Sequence, residues 1–339
     1  MKCDTCRKYT YNGRLKNYGV WNELINDINR IFMKAAFLFF VLMIGTFNGM
    51  TSELDRVKIS NGEFTVEIDL EVGGRIMEYS KDGNNVLFDK TSGNFEYSGP
   101  DGGRFDFGPE KIAPPRPETW LGRWELVEKN KNSIKIKSQV AKQAGVYLTR
   151  EFMLDKNSSH LKFTQTIVNV SKTRKRYCHW SRTFGEPNGI CLVPMNPQSR
   201  FPKGYMVYTG NNKLNYMPEG GTNESLREGI LEISGPPENA KFVTDSSDGW
   251  LAYITQDNQL FIKKFEIYPD KIYGEMTGAT VSIWYNQEGI CEIEPIGPWE
   301  WIDPGKSISF TEHWYLMDYE YPEDKNADLD EIISVIKKH

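Results

Sequence analysis

The stretch CEIEPIGPWEWIDPGKSISFTEHWYL, residues 291–316, sets four glutamates among three tryptophans and a Pro-Gly turn. In an extended strand side chains alternate, so Glu292 and Glu294 project from one face about 6.5–7 Å apart while Cys291 and Ile293 take the other. Two carboxylates on one face are costly to bury. That face is either solvated or lines a polar cleft in which one carboxylate serves as a base. Glu312 shares the parity of Phe310, Trp314 and Leu316, which puts it on a core face and requires Arg or backbone amide donors. Its role reads as structural or ligand-orienting.

A second constellation is TQTIVNVSKTRKRYCHWSRTFGEPNG, residues 164–189. Continued as a strand, it sets Tyr177, His179 and Ser181 on one face and Cys178, Trp180 and Arg182 on the other. The chain has four histidines. For His160, His313 and His339, and for His179 taken alone, a solvated or core-satisfied ring is the default. A third chemically rich stretch is EYSGPDGGRFDFGPEKIAPPRPETWLGRWE, residues 96–125. Its Gly and Pro content predicts an irregular loop, while Arg104, Asp106, Arg116, Trp120 and Arg123 are residues that hydrogen-bond or stack on hydroxylated ligands. The expectation is a loop closing over a site; a structural lid on a sheet face is the alternative.

The elements that must position these residues are strands. FTVEIDL (64–70), SIKIKSQVA (133–141), HLKFTQTIVNV (160–170), WLAYITQD (250–257), QLFIKKFEIY (259–268) and TVSIWYN (280–286) alternate or are rich in β-branched and aromatic residues. Asn61-Gly62, Asp82-Gly83, Asn188-Gly189 and Pro304-Gly305 mark turns between them. A helical stripe comes at the end, where Leu329, Ile332, Ile333 and Ile336 share one face of DLDEIISVIKKH. Without repeats or a glycine-rich linker, the pattern predicts one all-β domain over 53–320, a large antiparallel sandwich, with a short helical tail over 321–339.

Composition removes other classes. A formal net charge of −5, with Lys and Arg scattered, lacks the basic stripe of a nucleic-acid binder. Aromatics at 13%, with nine Trp, suit either a large β core or a surface that stacks on flat ligands. From Met33 the chain reads as a basic start, an apolar run from Ala35 to Ile44, then small and polar residues, the layout of a secretory signal. Residues 1–52 are therefore expected to be an N-terminal extension and export signal with Met33 as the true start, the protein being periplasmic or extracellular with no stable membrane insertion after signal removal. A single membrane anchor is the alternative. Past the signal, Cys178, Cys191 and Cys291 are too few for a disulfide framework, although Cys178 and Cys191 could be bridged.

Taken together these segments resemble the aldose 1-epimerase, or galactose mutarotase-like, superfamily over roughly residues 55–318. VEIDLEVGGRIMEYSKDGNNVL is similar to that family's opening strands. Asp101-Gly102-Gly103 stands where the family has His-Gly-Gly, and CHWSRTFGEPNG where it has an Asn-His strand. CEIEP matches its late Cys-Leu-Glu-Pro strand, followed by Asp303-Pro304-Gly305. The resemblance implies a β-supersandwich, a mono- or oligosaccharide partner and no metal or organic cofactor. It implies Glu294 as base and His179 as acid in the interconversion of sugar anomers, in which a hydroxyl proton is removed while the ring oxygen is protonated. Trp180, Trp299 or Trp301 would stack on the sugar, and Asp101, Arg104 and Arg182 would fix its hydroxyls, with Glu292, Glu312, Arg116 and Trp120 completing the candidate site. Asp101 in place of histidine and Cys178 in place of asparagine depart from the family pattern at positions that orient the sugar. Two further classes stay open: a non-catalytic carbohydrate-binding module, and a polysaccharide lyase or glycoside hydrolase using Glu292 and Glu294 as a carboxylate pair.

Overall fold

A computed structural model describes residues 55–89, 99, 101–210 and 213–339. The expected export signal, Met33, Cys3 and Cys6 lie outside these residues. Leu54–His339 forms one compact unit.

The chain begins with β1 (Arg56–Ser60), β2 (Phe64–Asp69), β3 (Arg75–Lys81), β4 (Asn84–Asn85) and β5 (Gly103–Gly108), then the single-turn helix α1 (Pro117–Trp120). A meander follows in β6 (Glu125–Lys129), β7 (Ser133–Lys137), β8 (Val146–Leu154) and β9 (Leu161–Asn169), leading to the long β10 (Lys175–Gly185). Next come β11 (Ile190–Pro194), β12 (Tyr205–Tyr208), β13 (Leu214–Asn215), β14 (Glu224–Arg227), β15 (Ile230–Ile233) and β16 (Lys241–Thr244). The chain closes with β17 (Trp250–Thr255), β18 (Gln259–Phe265), β19 (Val281–Tyr285), β20 (Cys291–Pro295), β21 (Glu300–Ile302), β22 (Ser307–Asp318) and α2 (Leu329–Lys338).

Among the described residues the strands form two antiparallel sheets. One follows the order β1-β2-β3-β5-β10-β20-β19-β16-β12-β13, with β4 and β21 off the path; the other follows β14-β15-β11-β17-β18-β22-β9-β8-β7-β6. Strands of the second sheet such as β8 and β9 bury alternate residues, the mark of one face on the core and one toward water. β10 is buried almost throughout, because one face meets the inter-sheet core and the other forms the floor of a cleft. The core between the sheets is aromatic: Phe105 stacks on Phe163 at 3.8 Å, and Trp314 packs edge-on to Phe261 at 5.0 Å.

Two expectations change here. The stretch 96–125 is not irregular throughout, because it contains β5, a central strand between β3 and β10. The Gly pair before it is what lets β5 pass close to β3: Gly102 has φ +56°, and a Cβ on Gly103 would lie 2.2 Å from the Ile76 side chain. Cys178, Cys191 and Cys291 are all free, buried thiols, so Cys178 and Cys191 are not bridged. The terminal helix forms as its stripe predicts. Asp328 caps it by accepting from the Glu331 amide at 3.0 Å, and Leu329, Ile332 and Ile336 bury against the outer face of the second sheet beside Ile190, Leu192 and Ile262. No helix among the described residues is long and apolar enough to cross a membrane.

Candidate functional site

β10, β20, β19 and β16 lie side by side, and their registers decide which side chains share the cleft face. Phe184 lies opposite Glu292, Glu292 opposite Trp284, Glu294 opposite Ser282, and Trp284 opposite Lys241. Above this floor lies a cavity of about 670 Å³, the size of a small-molecule site. Trp180, Arg182, Phe184, Glu292, Trp284 and Lys241 line its bottom, Tyr208 of β12 forms a side, and Glu110, Lys111 and Trp120 reach it from the 109–124 loop.

Arg182 organises the floor. Its guanidinium lies 4.7 Å from the Trp120 ring and 4.8 Å from the Trp180 ring, and its Nε donates to Glu292 Oε1 at 2.5 Å. Its Nε also approaches Glu294 Oε1 at 3.8 Å, while Lys241 Nζ donates to Glu294 Oε2. The two glutamates are thus side by side on one strand but in different fields. Burial, reinforced by the Glu294 charge, pushes the Glu292 carboxyl up to about 7 against the pull of Arg182. Burial would raise Glu294 too, but Lys241 and Arg182 outweigh it and hold that carboxyl below its ordinary value. Glu294 itself is fully buried beneath the cavity, opposite Ser282.

His179 is not in this cleft, which corrects its expected place across from Glu294. It sits on the opposite face of β10, in the inter-sheet core, stacked on Phe310 at 4.7 Å. Both ring nitrogens are committed. Arg150 Nε donates to Gln165 Oε1 at 2.9 Å, which fixes that amide so that its Nε2 donates to His179 Nδ1 at 3.0 Å. Nε2–H of the imidazole therefore donates to Glu312 Oε1 at 2.9 Å. Burial lowers the His179 pKa despite the neighbouring carboxylate, so the ring is neutral at pH 7 and has no proton to offer a sugar.

Of the two roles read for Glu312, the structural one fits, and its place in the candidate sugar site is corrected. The side chain is fully buried and takes Lys263 Nζ at 3.0 Å and Trp314 Nε1 at 2.9 Å, so it orients nothing in the cleft. Burial alone would raise its carboxyl, but Lys263 and His179 together bring it down to about 2.

The other candidates divide cleanly. Trp120, Trp180, Arg182 and Glu292 line the cavity, and Glu294 lies beneath it. Asp101, expected to hold hydroxyls, is instead tied to Arg104 Nη2 at 2.8 Å and to Arg75, while Arg104 is buried behind Trp120. Arg116 grips Asp106 with two bonds of 2.6 Å and so anchors the loop that presents Trp120. Trp301 on β21 and Trp299 just before it stand at the far end of β10, outside the cavity. Sequence reasoning missed Lys241, Trp284 and Tyr208. Trp284 had a legible signal in the strand TVSIWYN; Lys241 and Tyr208 had none, because their strands join this face through long-range pairing. Among the described residues no cluster of three or more His, Cys, Asp or Glu could hold a metal ion.

A galactose mutarotase-like protein from Lactobacillus casei superposes with a TM-score of 0.54 at 12% identity, over 77% of this chain and 100% of that one. A galactose mutarotase related enzyme from Lactobacillus acidophilus gives 0.54 at 12% identity over 78% and 98%. A galactose mutarotase-like protein from Clostridium acetobutylicum gives 0.51 at 12% identity over 79% and 96%. At these identities the likeness shows the fold alone. No curated protein matches the sequence. A family model described as a domain of unknown function, DUF4380, matches residues 110–317, from the loop after β5 to the end of β22. The chain belongs to the DUF4380 family and carries it on a galactose mutarotase-like β-sandwich.

Proposed function

We propose that the protein binds a mono- or oligosaccharide in the cleft over β10 and β20 and acts on its anomeric centre, with Glu292 rather than the Glu294 and His179 pair exchanging the protons. The observation that carries this reading is the Arg182 and Glu292 pair set among Trp120, Trp180 and Trp284 on the cavity floor. Indole faces match the apolar faces of a pyranose, and the hydrogen-bonded Arg182 and Glu292 beside them supply donors and acceptors for its hydroxyls.

A carboxylic acid carries a donor and an acceptor on one carbon. Protonated Glu292 would give its O–H proton to the ring oxygen as the bond from that oxygen to the anomeric carbon breaks. Its other oxygen would take the proton of the anomeric hydroxyl, leaving an open-chain aldehyde and Glu292 still protonated; reclosure on the other face gives the second anomer. Glu294, fixed by Lys241, would stay charged and keep the Glu292 proton bound. The hydrolase alternative is weaker, since both carboxylates lie on one strand face and do not flank a bond from two sides. Export to the periplasm or beyond belongs to the same reading and rests on the apolar run after Lys34; an intact Met1 on cytosolic protein from the native host would overturn it.

The test pairs sugar-array binding with polarimetry. The expected result is binding of at least one sugar and anomer equilibration faster than buffer, with Glu292→Gln losing the rate while affinity stays within about tenfold. Binding without any acceleration would assign a non-catalytic carbohydrate-binding module. Failure to bind any sugar would overturn the reading.

A further inference from the structure

The cleft face of β10 continues past the cleft. Arg174 and Arg176 share the parity of Trp180 and Arg182, and Arg176 lies directly opposite Trp301 on β21. The Arg176 guanidinium is 3.9 Å from the Trp299 ring and 5.1 Å from the Trp301 ring, and that of Arg174 is 4.8 Å from Trp301. The four side chains form a ladder. Its inner end is structural: Trp299 Nε1 donates to the Arg176 carbonyl at 3.1 Å, Arg176 Nε donates to the Trp299 carbonyl at 3.3 Å, and a Cβ on Gly274 would meet the Trp299 indole at 2.6 Å.

Its outer end has no such explanation. Trp301 is 52% exposed, with the Arg174 guanidinium 4.8 Å and the Arg176 guanidinium 5.1 Å from its ring. Arg174 bonds Asp303 at 3.0 Å and Lys271 bonds Glu300 at 2.8 Å, but Arg176 has no carboxylate partner among the described residues. A fixed, exposed indole beside an unneutralised guanidinium matches a flat-faced ring that carries a carboxylate.

We propose that the Arg174, Trp301 and Arg176 ladder is a second binding surface, for a uronate-bearing polysaccharide. A pyranose face stacks on Trp301 and its carboxylate meets Arg176. One indole grips one ring weakly, so the natural occupant is a polymer whose repeated rings rebind. Nucleic acid is the poorer fit, because the ladder offers a single exposed ring where successive bases would need several. This surface lies outside the cavity and does not depend on the reading of the cleft.

The experiment is affinity electrophoresis of the folded protein in gels containing polygalacturonate or dextran. Wild type is expected to be retarded by polygalacturonate and not by dextran, and Trp301→Ala, at an exposed position that tolerates the change, to lose at least about tenfold in affinity. Trp180→Ala should keep the retardation in full, which separates this surface from the cleft. Equal retardation by dextran, no retardation by polygalacturonate, undiminished retardation of Trp301→Ala, or full displacement by single-stranded DNA at equal charge would each overturn the proposal.

Discussion

His179 Nε2 lies 2.9 Å from Glu312 Oε1, joining a strand of one sheet to a strand of the other through the core of the sandwich. The bond belongs to a buried chain that runs from Arg150 through Gln165 and His179 to Glu312 and Lys263. A fully committed neutral imidazole is a structural member, and the cleft chemistry has to be found on the other face of β10.

Removing one member of that chain leaves an uncompensated buried charge. Glu312→Gln strands Lys263, which is fully buried, and is expected to destabilise the fold by about 3–5 kcal/mol. Chemical denaturation followed by circular dichroism measures this; a change under about 1 kcal/mol would contradict the structural role.

The same carboxylate predicts an acid limit. Its folded pKa of about 2 lies below the ordinary 4.5, so the folded state binds this proton less tightly than the unfolded chain. The stabilisation is complete above about pH 4.5 and is lost as pH falls toward 2, on the order of 3 kcal/mol for this group. Melting temperature measured from pH 6 to pH 2 should fall across that window, and Glu312→Gln should flatten the fall.

Glu292 predicts a basic limit on activity. With its carboxyl raised to about 7, the protonated form is the majority below that pH and declines above it. Anomer equilibration should therefore fall about tenfold per pH unit above roughly pH 7. A rate that rises through this range would show that Glu292 acts as its carboxylate.

The two aromatic surfaces should separate by ligand. Trp180→Ala is expected to weaken monosaccharide binding in the cleft by about tenfold or more, and Trp301→Ala to leave it unchanged. Titration calorimetry with the best ligand from the array decides this.

The terminal helix should behave as part of the core. Ile332 is fully buried, and Ile332→Ala is expected to cost about 2–5 kcal/mol with no change in cleft affinity.

The sequence alone determined the strand runs, the turns at Asn61-Gly62 and Asp82-Gly83, the terminal helix, and the pairing of faces within each strand. Alternation is local, so Glu292 with Glu294, and Trp180 with Arg182 against His179, follow from neighbours two residues apart. The resemblance to mutarotase-like proteins rested on similarly local motifs, and the fold agrees with it. The tertiary structure decided which face of β10 looks into the cleft, because that depends on where the second sheet stacks. Once β22 lay beneath β10, His179 fell between Phe310 and Glu312 and was removed from the chemistry. The same long-range pairing brought Lys241 and Tyr208 to the glutamates from strands remote in sequence, and a local pattern carries no record of such partners.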